Sequence, residues 1–110
     1  MNPKSLSEEP IYSALTGDPD LGELVEMFVR EMPDRVEALE TFLAAGDWEN
    51  LRRAAHQLKG AAGSYGFGPI SPSAARLEDA IRNAGPEETI RRAVDELIDL
   101  CRRAQATQPA

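Results

Sequence analysis

A chain of 110 residues, 42% hydrophobic and 28% charged, has room for one domain around a single modest core. Its net charge of −7 argues against a nucleic-acid binder, because affinity for phosphate backbones rests on neutralising them with Lys and Arg. A lone cysteine, Cys101, allows neither an intramolecular disulfide nor a Cys-rich zinc site.

The opening MNPKSLSEEP lacks the basic stretch and apolar run of a secretory signal. No apolar stretch approaches the roughly 20 residues that span a bilayer, so a soluble, cytoplasmic protein is expected. Residues 1–16 form an N-terminal segment, where Ile11 and Leu15 predict a short extra helix across one end. From Leu21, apolar residues recur as Leu24, Val25, Phe28, Met32, Val36, Leu39 and Leu43, the spacing of one helical face. Pro33 removes a backbone donor within this run. The stripe keeps its phase across it, which predicts one long, kinked helix. Gly46-Asp47 reads as a stop and a restart, with Gly in the left-handed conformation and Asp capping the next helix.

The second helix starts near Trp48, with a stripe of Leu51, Ala55, Leu58, Ala62 and Tyr65. A turn is expected around Gly66, Gly68 and Pro69. Ser71-Pro72 predicts a cap and a proline at the first position of a third helix, with Leu77 and Ile81 inward. Gly85-Pro86-Glu87-Glu88 predicts a glycine stop, a proline start and acids at the positive end of a fourth helix dipole. That helix should bury Ile90, Val94, Leu97, Cys101 and Ala104, and leave 106–110 as a frayed tail. Four amphipathic helices with short connections predict an all-α, antiparallel up-down four-helix bundle over residues 17–105.

Against this frame of core residues, one position asks for chemistry. His56 is the only histidine. At 3.6 residues per turn it lies about 140° from Leu51 and its stripe, so it projects outward. Lys59, Gly60 and Gly63 follow on the same side and Arg52 precedes it by a turn, which makes them spatial neighbours. Each glycine costs about 1 kcal/mol relative to alanine inside a helix. Two readings of them stay open: access for another surface or a phosphoryl group, or close helix packing and the onset of the helix end. Neutral imidazole is a nucleophile near physiological pH, and its bond to phosphorus is labile enough for onward transfer. Residues 51–60 carry Arg52, Arg53 and Lys59 with no acid, a basic patch suited to phosphate and to an acidic partner surface.

The segment His56-Gln57-Leu58-Lys59-Gly60-Ala61-Ala62-Gly63-Ser64-Tyr65-Gly66 resembles the signature of histidine-phosphotransfer (HPt) domains. That signature is His, an apolar residue two on, Lys at three, Gly at four, small residues, then Gly at ten. Gly46-Asp47-Trp48 also resembles the turn that precedes this helix in the family, and the likeness covers about residues 20–104. It implies a phosphohistidine intermediate on His56 with no independent catalysis. Lys59 would steady the phosphoryl oxygens, Gly60 and Gly63 would give access, and Arg52, Gln57 and Ser64 would contact the partner. The resemblance implies no metal or cofactor on this chain, Mg²⁺ residing on the partner receiver domain. Implied partners are response-regulator receiver domains and a hybrid histidine kinase, met by a monomer. The stretch Gly66–Ala75, with two prolines, departs from the family's shorter turn, and no third-helix residue is assigned to the site.

The alternative is a phosphorylation-independent helical adaptor in which His56 merely lies at an interface. A hydrolytic or metal enzyme finds no support in one histidine without a neighbouring acid at ligand spacing. A kinase would need a phosphate-binding loop and a nucleotide domain, for which there is no room.

Overall fold

The computed structural model describes residues 9–15 and 18–106. Four helices account for most of it: α1 Gly22–Ala45, α2 Trp48–Ser64, α3 Ile70–Arg82 and α4 Glu87–Arg103. Each packs on the next and α1 also packs on α4, which closes a bundle. Among the described residues no helix is long and apolar enough to cross a membrane.

The stripes become the core. Val25, Phe28, Met32, Val36 and Leu39 of α1 are buried, as are Leu51, Ala55, Leu58 and Ala62 of α2. Leu24 is the exception. It turns outward with Met27 and is 41% exposed, because the buried arc of α1 is centred one residue further on. The helix runs unbroken through Pro33, which lies on its exposed side. It ends at Gly46, whose φ of 67° lets the amides of Gly46 and Asp47 reach back to the carbonyls of Leu43 and Phe42. Asp47 then accepts from the amide of Asn50 at 3.2 Å and opens α2.

Three boundaries differ from expectation. Helix α3 begins at Ile70 rather than after Ser71. Pro72 fits inside its first turn because the amide it lacks would have had no helical partner there. Ser71, freed from capping, donates to the carbonyl of Lys59 at 3.0 Å and so ties α3 to α2. Phe67, placed in a turn by its flanking glycines, is fully buried with its ring 5.3 Å from that of Phe28. At the end of α3 the left-handed residue is Ala84, φ 50°, not Gly85. Gly85 serves instead because a Cβ there would meet the carbonyl oxygen of Ala80 at 3.1 Å. Pro86 is then the cap, one residue before the first position of α4.

Residues 9–15 form no helix. Ile11–Tyr12 (β1) pairs in parallel with Ala104–Gln105 (β2), so Ala104 is buried from a strand rather than from α4. A stretch this short cannot meet the cost of helix nucleation, and Ile and Tyr favour extended backbone once a partner strand is present. The Ser13 hydroxyl donates to the carbonyl of Tyr65, and the amide of Ala14 donates to Gly66 at 2.8 Å, strapping this segment over the end of α2. Residues 1–8 and 16 of the N-terminal segment, and 107–110 of the expected tail, lie outside the described residues.

Candidate functional site

His56 projects from the middle of α2 as expected, its side chain 59% exposed. Its Nδ1 lies 2.9 Å from Oε2 of Glu78, a residue of α3 that the sequence reading left out. Glu78 occurs one position after Leu77 and four after Ala74, so it falls inside the apolar arc of its helix and faces α2. Its side chain is 2% exposed. Small residues make this approach close: Ala55 and Ala62 on α2, Ser73 and Ala74 on α3, all buried.

A carboxylate with so little water needs partners, and four converge on it. Lys59 donates from Nζ to Oε1 at 2.8 Å, while Arg82 and Arg52 reach Oε2 at 3.5 and 4.0 Å. The Lys59 hydrogen bond above all, with the His56 hydrogen bond adding to it, holds the Glu78 carboxyl below its ordinary range, against burial, which pushes it up. Glu78 is therefore ionised at neutral pH and can only accept. Neutral His56 must donate to it from Nδ1–H, which leaves the Nε2 lone pair available on the side away from Glu78. The dyad fixes one tautomer and aims the nucleophilic nitrogen outward.

The other expected site residues separate. Arg52 belongs to the cluster but also binds Glu49 at 2.9 Å, and that hydrogen bond lowers the Glu49 carboxyl. Arg53 reaches Glu49 at 3.7 Å. Gly63 faces Ser71, whose Oγ would lie 3.6 Å from an added Cβ, so its place is in the contact between α2 and α3. Gly60 is open, with nothing within 4 Å of an added Cβ. Gln57 turns toward a small cleft against α1. Ser64 ends α2, about 12 Å along the axis from His56 at 1.5 Å per residue.

Of the two glycines that follow His56 on α2, Gly60 is the one with open space around it. Gly60→Ala should stabilise the protein by up to about 1 kcal/mol and slow transfer to His56, read from urea unfolding and single-turnover kinetics. Transfer at the native rate would show that the position needs no clearance.

Burial pushes the thiol of Cys101, the only cysteine, up to about 12. Among the described residues no three His, Cys, Asp or Glu side chains converge as a metal site would require. The Hpt domain family model matches residues 23–107 of the chain. No curated protein and no solved structure matches it.

Proposed function

The chain belongs to the Hpt domain family, and on that premise we propose that it is a phosphorelay intermediate, taking a phosphoryl group from a receiver-domain aspartate onto His56 and passing it to another receiver. Members of the family are phosphotransfer modules of two-component systems, without kinase activity, that interact with receiver domains and histidine kinases. An up-down arrangement with antiparallel neighbours suits the short links between successive helices.

The observation that carries this reading is the exposed imidazole bonded through Nδ1 to a buried, ionised carboxylate. Nε2 attacks phosphorus, the N–P bond forms as the aspartyl O–P bond breaks, and the aspartate leaves as a carboxylate. Nδ1 keeps its proton throughout, so the ring becomes a cation, and Glu78 at 2.9 Å stabilises the charge as it develops. Return transfer reverses the same steps without moving a proton. Arg52, Lys59 and Arg82 outnumber Glu78 and Glu49, the carboxylates they pair with, and their surplus positive charge favours a phosphoryl dianion beside them. Mg²⁺ and the acidic chemistry of the exchange belong, on this reading, to the receiver. The test is transfer of labelled phosphoryl from a phosphorylated receiver, with the product labile to acid and stable to base. Binding without transfer would favour the adaptor reading.

Lys59 separates direct from long-range action. Lys59→Ala should lower the saturating transfer rate or the phosphohistidine lifetime at both low and high salt, since the ammonium lies inside the cluster. Arg53→Ala should weaken receiver binding only, with a deficit that fades as the Debye length falls from about 10 Å at 0.1 M to about 3 Å at 1 M salt. A Lys59→Ala deficit that also fades would assign the lysine to docking.

A further inference from the structure

A cleft of about 150 Å³ opens between α1 and α2, walled by Ala38, Phe42 and Ala54, with Arg35 and Gln57 at its lining. Gln57 is the chain neighbour of His56, on the side of α2 opposite Glu78. Arg35 differs from several other arginines of this protein. Arg91, Arg92 and Arg103 each pair with an acid one turn earlier on their helix. Arg35 has Glu31 at the same spacing, yet its guanidinium lies 5.4 Å from the centroid of the Phe28 ring. Its Nε is buried with no hydrogen-bond partner among the described residues, and none of the described acids forms a salt bridge with it.

A protein that docks on His56 through an interface of ordinary size extends far enough to reach this cleft. A standard interface takes about 800 Å² from each partner, a disc of about 16 Å radius, and the cleft lies within about one helix diameter, 10–12 Å, of the imidazole. Covering a guanidinium that has no counter-ion is costly, so the covering surface must bring one. The volume admits a single side chain, and the lining is apolar apart from Arg35 and Gln57.

We propose that this cleft is a docking notch that receives one aspartate or glutamate side chain of the receiver domain exchanging phosphoryl groups with His56. The proposal rests on the phosphotransfer reading and adds to it the contact that orients the partner. Orientation is worth having here because the reacting atoms must meet in line within about 3–3.5 Å, and a fixed ion pair beside the acceptor restricts rotation about it.

The experiment titrates a phosphorylated receiver against the native protein, Arg35→Gln, Arg35→Glu and Ala38→Leu, the last filling the notch without touching the arginine. Phosphoramidate, which phosphorylates imidazole with loss of ammonia and needs no docking, reports the chemistry of His56 alone. Half-saturation for the receiver should rise about tenfold in Arg35→Gln and Ala38→Leu and further in Arg35→Glu, with saturating rates within about twofold of native. The phosphoramidate reaction should not distinguish the variants. Changing one receiver carboxylate to lysine should restore tight half-saturation to Arg35→Glu. Unchanged half-saturation in all three variants, or an equal loss with phosphoramidate, overturns the notch and leaves the phosphotransfer reading standing. A native protein that takes phosphoryl from phosphoramidate but from no receiver overturns the functional reading, and the notch with it.

Discussion

Glu78→Gln should slow phosphoryl transfer to His56 by about a hundredfold or more with little change in the fold. Glutamine keeps the shape of the side chain but loses its charge and gains two donors. Lys59 can only donate, so it holds the amide oxygen in the place of Oε1, 2.8 Å away. The amide nitrogen then faces Nδ1, which must accept. The proton moves to Nε2, the nucleophilic lone pair is lost from the outward side, and no carboxylate remains to stabilise the phosphorylated ring.

Stability should behave differently. The cations around Glu78 are partly exposed and can turn to water when it is removed. Removing one member of a buried ion pair is costly when the other charge stays buried, and none of these cations would. Glu78→Leu should therefore melt at or above the native temperature and still transfer poorly. The pH dependence follows from the lowered folded-state carboxyl. Its stabilising contribution is fully present above the ordinary value of 4.5 and is lost as pH falls through the lower folded value. Denaturant unfolding between pH 6 and 3 should show a shallower loss in Glu78→Leu than in the native protein. A Glu78→Leu variant that melts far below native would make Glu78 a structural keystone rather than part of the acceptor.

His56→Gln should reduce transfer from a phosphorylated receiver below detection, the largest effect expected of any single change. No second histidine exists to substitute for it, and Cys101 is buried and protonated. The side chain is mostly exposed, and exposed polar substitutions usually stay within about 0.5 kcal/mol, so circular dichroism and melting should remain near native. Residual phosphorylation of this variant would place the acceptor elsewhere.

The helices were legible because each carries a stripe at the right period, and α1 and α2 are joined by chemistry local to Gly46 and Asp47. Phe67 and the Ile11–Tyr12 strand were not, since both depend on partners distant in sequence, Phe28 for one and Ala104–Gln105 for the other. In the site, the outward phase of His56 and the nearness of Lys59 and Arg52 follow from helical spacing alone. Glu78 and Arg82 were hidden for a different reason. They lie on another helix, and only the packing of α3 on α2 brings them to the imidazole. One signal did exist: an acid amid Ser73, Ala74, Leu77 and Ile81 lies in an apolar arc, and a charge there must find partners. On α2 itself no acid lies within four residues of His56.

Which nitrogen carries the phosphoryl group is the most direct test, and a single histidine makes it readable. Protein with ¹⁵N-labelled histidine is phosphorylated by a receiver and its ³¹P and ¹⁵N resonances are recorded. The dyad predicts phosphorus bonded to Nε2 of His56, with Nδ1 still protonated and hydrogen-bonded to Glu78. Phosphorus on Nδ1, or on any residue other than His56, would contradict it.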